Sequence, residues 1–299
     1  MTDAPRACGH PWGPAKAALA CLVLLLFALA GCGGGRQIPT AYHQREDNLA
    51  RKAKAAYDKG RYPQALALFT QALQASRAVE DVDLTAIHLV NIAAVYRRLG
   101  QPEKALRTAD EVLETTHVAY SPSRKAGAAL VKALVYRDEG GLDTAGAWAD
   151  QALALCTSAP DCRLGGRIYT VKGRIALLEG QAAAAVEAGQ TALSLSRGQE
   201  DFAQTASALR LLAEAKTTLK VYPEARAHYQ EALALDKQLG LSRALALDLM
   251  GLGRLSLAQD RRDEALSFFR RALSVSTGGE DPQGVRAAQE MIDRLEPDK

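Results

Sequence analysis

Aromatic residues are scarce in this 299-residue chain: they make up 5% of it, with two tryptophans and five phenylalanines. No stretch alternates apolar with polar residues as a half-buried strand does. Ala, Leu, Arg, Glu and Gln dominate instead, and all are strong helix formers, so the chain is expected to be all α. Charge of one sign is not in excess either. The formal net charge is +3, whereas a nucleic-acid protein needs a concentrated basic surface; nucleic acid is therefore not an expected partner. Catalytic signatures are missing: there is no P-loop, no G-x-S-x-G elbow, no H-E-x-x-H and no dinucleotide fingerprint. His43, His88, His117 and His228 are scattered without ligand spacing. No enzyme, cofactor or metal is expected, although a site assembled from distant parts of the chain stays open as an alternative. Of the five cysteines, three fall at or before Cys32 and only Cys156 and Cys162 come later.

A repeat fills the rest. Ala65, Ala105, Ala145, Ala185, Ala225 and Ala265 stand at every fortieth position, and Leu73, Leu113, Leu153, Leu193, Leu233 and Leu273 keep the same step. Two registered columns mark a repeat array and divide residues 46–285 into six units. Each unit reads as a helix, a turn and a second helix. From Ala86 the turn falls at Leu99-Gly100-Gln101-Pro102 and the second helix runs to about Glu114. Corresponding turns fall at Lys59-Gly60, Glu139-Gly140, Glu179-Gly180, Leu219-Lys220 and Gln259-Asp260. Glycine suits the left-handed end of a helix. Pro63, Pro102 and Pro223 stand at second-helix starts, where a missing N–H costs nothing; Asp143 and Asp263 occupy the matching place and are expected to cap it. A small site in the first helix holds Ala53, Ala93, Ala133, Gly173, Ala213 and Gly253. A large site in the second holds Phe69, Tyr229 and Phe269, but Ala109, Ala149 and Gly189 in the middle units. After Asp281-Pro282, a helix to about Leu295 carries an apolar stripe of Val285, Ala288, Met291, Ile292 and Leu295. It is expected to cap the stack, with 286–299 as its remainder and tail.

This alternation of small and large sites resembles the tetratricopeptide repeat. The resemblance implies a right-handed αα-solenoid of helix hairpins, stable only as a stack. Two features depart from it: the period is 40 rather than about 34, and leucines such as Leu49 and Leu89 replace the family's first-helix tryptophan. The resemblance further implies that first helices line a concave groove holding a protein or peptide segment. Carried onto this chain, the groove positions in unit one are Asp47, Arg51, Lys54, Tyr57 and Asp58. Units two and three give Asn91, Arg97, Arg98, Val131, Leu134, Arg137 and Asp138. The last three units give Arg167, Val171, Arg174, Arg210, Glu214, Met250 and Arg254. Nine of these are basic and four acidic, so the groove is expected to be positive with an apolar middle. Only Asn91 matches the family's chaperone-type carboxylate clamp, so that clamp is not expected.

The N-terminal stretch 1–31 reads as an export signal. Arg6 and Lys16 make a basic start, and Ala17 to Ala30 is an uncharged, mostly apolar run. A membrane span needs about 20 residues; this run is shorter and suits a signal peptide. Leu29-Ala30-Gly31-Cys32 resembles the lipobox of bacterial lipoproteins, which implies cleavage after Gly31 and acyl chains such as palmitate on Cys32. An ordinary cleaved signal or a short anchor is the alternative. Residues 32–45, opening with Gly33-Gly34-Gly35 after the cysteine, read as a flexible tether. In the sorting scheme that holds Asp-following lipoproteins at the inner membrane, Gly33 implies the outer membrane and a periplasm-facing array. In that oxidising compartment Cys156 and Cys162, flanking a Pro160-Asp161 turn, are expected to form a disulfide; two packed free thiols are the alternative. The functional expectation is a lipid-anchored periplasmic scaffold that binds a partner, in plan like tetratricopeptide lipoproteins that assist secretins and type IV pili. A docking regulator of peptidoglycan synthesis is the second reading, and an enzyme with an unrecognised site the third.

Overall fold

Turns set the architecture. A residue with positive φ recurs at Gly60, Glu80, Gly100, Gly140, Gly180, Glu200, Lys220, Gly240, Asp260 and Glu280. They fall at every twentieth position, or every fortieth where one is skipped. At each, the next residue's N–H donates to a carbonyl five positions back, as Arg61 does to Ala56 (2.9 Å) and Gln101 to Tyr96 (3.0 Å). This satisfies carbonyls that the helix end leaves open. Most helices are 17 residues long, so two helices and two short turns complete one period. The surplus over the usual repeat thus lies in the helices. The two missing turns are the longer loops 115–121 and 158–164.

The structure is a computed structural model and describes residues 41–296. The stretch read as an export signal, Cys32 and the start of the stretch read as a tether lie outside the described residues. Among the described residues thirteen helices follow one another: α1 (Ala41–Asp58), α2 (Tyr62–Ala78), α3 (Val82–Arg98), α4 (Pro102–Glu114), α5 (Pro122–Asp138), α6 (Leu142–Thr157), α7 (Gly165–Leu178), α8 (Ala182–Gly198), α9 (Phe202–Thr218), α10 (Tyr222–Gln238), α11 (Ser242–Leu257), α12 (Arg262–Gly278) and α13 (Pro282–Leu295). No strand occurs among the described residues. Each odd helix from α1 to α11 pairs with its successor, neighbouring pairs stack and α13 packs on α12, giving an all-α repeat solenoid. α1 begins at Ala41, so the end of the stretch read as tether belongs to a helix.

The alanine ladder is the tightest seam: all six alanines are fully buried. They let paired helices approach, while Phe69, Tyr229 and Phe269 fill the wider gaps. The leucine ladder lies nearer the surface; only Leu73 is buried and the others are partly so. α13 buries Ala288 and Ile292 against the last unit, with Met291 and Leu295 alongside. Asp143 and Asp263 do not cap. The cap positions are Gly141 and Arg261, without side-chain bonds, and both aspartates sit inside the first turn. There they complement the helix dipole. Real side-chain caps occur instead at first helices: Asp81 accepts from the Leu84 N–H (2.9 Å) and Asp201 from the Gln204 N–H (3.0 Å).

Candidate ligand-binding lumen

Residues one period apart share one place in the wall, so the six first helices α1, α3, α5, α7, α9 and α11 present equivalent columns inward. One column reads Lys54, Ala94, Leu134, Arg174, Glu214 and Arg254; another begins Tyr57, Arg97, Arg137. Their members from Leu134 to Arg254 in the first column, with Tyr57, Arg97 and Arg137 of the second, line a cavity of about 490 Å³. Arg97, Arg98, Leu134, Arg137, Arg167, Val171, Arg174, Arg210 and Arg254 all line it. An adjoining cavity of about 730 Å³ is lined by Arg51, Lys54 and Asn91, and shares Tyr57 and Arg167 with the first. A third of about 500 Å³ adds Val131.

Lining does not mean available. Val131, Leu134 and Val171 are buried and only edge onto the space, while Met250 is in the core of the last unit. Arg210 is also buried. Its Nε donates to Asp248 (2.6 Å) and its Nη2 to Asp236, neutralising it inside the wall. Burial pushes the Asp248 carboxyl up to about 7, with Asp236 beside it, and burial raises Asp236 as well. Arg97 and Arg137 share Asp138. Burial works to raise that carboxyl, but the two guanidiniums hold it below the usual range. Arg174 pairs with Glu214 at 2.9 Å. On α1, Arg51 pairs with Asp47 (3.5 Å) and Lys54 with Asp58 (2.6 Å). Arg98, Arg167 and Arg254 have no ion pair among the described residues. Arg167 is reached by solvent yet hemmed in by protein, which lowers its pKa.

The lumen is closed by the two ends of the array. Arg61 donates to Glu280 at 2.6 Å. Arg243 donates to the Tyr62 hydroxyl, and the Tyr62 ring lies between Arg243 and Arg98, 5.8 and 5.7 Å from its centroid. Hence Tyr57 of α1 lines the same cavity as Leu247 and Arg254 of α11. Cys156, in the last turn of α6, is joined to Cys162 in the loop before α7, with Cα atoms 5.2 Å apart. Among the described residues no three His, Cys, Asp or Glu side chains gather into a metal site, and no helix is long and apolar enough to cross a membrane.

Several of these residues escape motif reading, yet the repeat register carried a signal. Asp248 shares its column with His88, Ala128, Ile168 and Ala208, all buried, and only Asn48 of the first unit is exposed there. Asp236 falls in a column with Ser76, Cys156, Ser196 and Ser276, buried except at Thr116 in the long loop. Glu46 lies in the column of Ala86, Ala126 and Ala206, and its carboxylate meets buried His88 at 2.6 Å. A charge in a buried column demands a partner.

Sequence profiles described as tetratricopeptide repeat match residues 45–116, 204–277 and 90–160. Nothing among curated proteins matches the chain. Among solved structures, a Rap protein complexed with competence and sporulation factor superposes with a TM-score of 0.61 at 13% identity, covering 84% of this chain and 71% of that one. BtubC (BKLC) from P. vanneervenii gives 0.54 at 17% identity, with 80% and 92% covered. A thermophilic tetratricopeptide protein of Thermus thermophilus gives 0.50 at 23% identity, with 67% and 98% covered.

Proposed function

The chain belongs to the tetratricopeptide repeat family, and from that premise we propose that it is a lipid-anchored envelope scaffold that holds a segment of a partner protein in its lumen. Proteins of this family bind protein or peptide partners and are generally non-catalytic. The observation that carries the reading is the lumen itself: the first helices of all six units converge on a cavity walled by seven arginines, and adjoining cavities with more apolar walls share residues with it. A Rap protein of similar fold is complexed with competence and sporulation factor, which supports a ligand-holding use of such a solenoid. Acylation at Cys32 attaches the array to the outer membrane on its periplasmic side, and the partner belongs to an envelope assembly such as a secretin or type IV pilus. The support for location is the lipobox-like Leu29-Ala30-Gly31-Cys32.

The test is a photo-crosslinking residue in place of Leu178, which stands 60% exposed in the lumen wall. Crosslinks in intact cells to secretin or pilus subunits, lost when Cys32→Ser releases the protein from membranes, are the expected result. Crosslinks to wall synthases move the function to peptidoglycan synthesis. No lumen crosslink at all overturns the ligand-holding reading.

A further inference from the structure

The lumen carries more positive charge than its own carboxylates neutralise. Seven arginines line the 490 Å³ cavity. Asp138, Glu214 and the pair Asp236 and Asp248 serve four of them. The remaining three, Arg98, Arg167 and Arg254, come from α3, α7 and α11, the first helices of alternate units, so they surround the space rather than cluster on one side. The Nε of Arg98, and that of neighbouring Arg97, is buried without an acceptor. Buried donors without partners are costly. The Arg137 pKa is lowered, by burial first and then by Arg97 and Arg174. In a walled cavity such a field is focused and draws anions.

The same wall exposes apolar surface. Leu178 and Leu247 are 60% and 50% exposed, although leucines elsewhere in the first helices are mostly buried, and both line this cavity. A small inorganic polyanion uses the guanidiniums and leaves these leucines wet. A chain bearing both carboxylates and aliphatic side chains uses both.

We propose that the lumen's ligand is an acidic peptide segment, with carboxylates set to reach Arg98, Arg167 and Arg254 and aliphatic side chains between them that pack on Leu178 and Leu247. This rests on the reading of the lumen as a peptide-holding site and names the chemistry of its occupant.

The probe is a short fluorescein-labelled peptide of glutamates and leucines, titrated by anisotropy against the full-length protein in detergent. The controls replace glutamate by lysine, or leucine by serine. The glutamate–leucine probe binds, and more weakly as salt rises from ~0.1 to ~0.5 M; the lysine version does not bind, and the serine version binds more weakly. Arg167→Gln with Arg254→Gln weakens the probe about 10- to 100-fold, as expected for two charge-assisted contacts. Arg167→Lys with Arg254→Lys retains most binding. Neither pair lowers the thermal midpoint, because neither arginine has an ion-pair partner to lose. Equal binding of glutamate and lysine probes, or binding untouched by the glutamine pair, overturns the proposal. So does tripolyphosphate displacing a probe that binds equally well without leucine, since that describes a small-polyanion site. If lumen crosslinking finds a partner but the glutamate probe fails, this inference falls alone. If no partner crosslinks in the lumen, the underlying reading falls with it.

Discussion

Gly251 and Gly253 lie on α11 where the rings of the second helices press closest. A Cβ on Gly251 would stand 2.2 Å from Tyr229 Cε1, and one on Gly253 would stand 2.4 Å from Phe269 Cε1. Small site and large site are therefore one fitted pair, and the missing methyl is what lets a buried aromatic lie flat against the helix. Gly253→Ala drives the Phe269 ring off its place. Overpacking of this kind costs about 1–3 kcal/mol, which outweighs the helix propensity of ~1 kcal/mol that alanine adds. Gly146 is the internal control. It is helical, and a Cβ there meets nothing within 4 Å, so Gly146→Ala gains roughly that propensity. Lys220 makes the same argument from the backbone. Its φ of +62° is left-handed, a conformation costing a non-glycine residue about 1–2 kcal/mol. Lys220→Gly relieves it and stabilises by a fraction of that, since glycine loses more entropy on folding. Urea denaturation of the three variants should show one loss and two gains. A Gly253→Ala protein as stable as Gly146→Ala would remove the fitted-pair account.

Three helices, α9, α10 and α11, are tied by Arg210, Asp236 and Asp248, and this tie makes stability depend on pH. Asp248 Oδ2 is buried without an acceptor or donor, and the carboxyl is raised to about 7 by burial. A raised carboxyl keeps its proton in the fold while the unfolded chain has lost it. Its contribution is therefore full below the unfolded value of 3.8 and is lost as pH climbs toward 7. The slope is about 1.4 kcal/mol per pH unit for one such group. His88 and His228 are lowered by burial and push the other way across part of this range; Asp83 and Asp138 are lowered and act only at more acid pH. The difference between the wild type and Asp248→Asn reports the Asp236 and Asp248 pair, since Asp236 is raised by burial as well and titrates with its neighbour. Denaturant unfolding between pH 5 and 7 should show the wild type losing stability relative to the variant; parallel curves would show that Asp248 is ionised throughout. At this scale the sequence was legible wherever burial is shared along a column. The repeat step located the helices and the turns, whereas the groove positions came from the family resemblance; of their arginines, those from Arg97 to Arg254 lie around one cavity. It did not disclose pairing. Arg210 occupies a groove position by count, but its column runs through Leu130, Thr170 and Met250, all buried, and its aspartates lie 26 and 38 positions away. Nor did it fix phase at helix starts: a single position separates a cap from a first-turn acid, and Asp143 and Asp263 fall on the far side of that boundary.

Across the whole array, the first unit meets the last through very few groups. The Arg61–Glu280 pair is 46% and 65% exposed, and exposed pairs contribute about 0–1 kcal/mol. The Arg243 contact with the Tyr62 ring, at 5.8 Å from the centroid, adds about 0.5–1 kcal/mol. Among the described residues no apolar cluster spans these ends; the cleft between them is lined by Lys59, Arg61, Ser242, Val275 and the Gly278–Glu280 turn. Together these contribute about 0.5–2 kcal/mol toward the shut ring, which leaves from a few per cent to roughly a third of molecules open. That balance matters for what the lumen admits. A shut ring is threaded only by a chain end, whereas an open one takes an internal segment of a folded partner from the side. Arg61→Ala with Arg243→Ala should shift the distance distribution between spin labels on exposed Gln64 and Ser274 toward longer values, with helix content unchanged. Raising salt to ~1 M should do part of the same in the wild type, because the pair is exposed and screened. Association of a partner segment should quicken in the double variant if admission is from the side. A distribution that neither the substitutions nor the salt moves would mean that the curvature of the stacked helices closes the ring, and that Arg61 and Arg243 only decorate the seam.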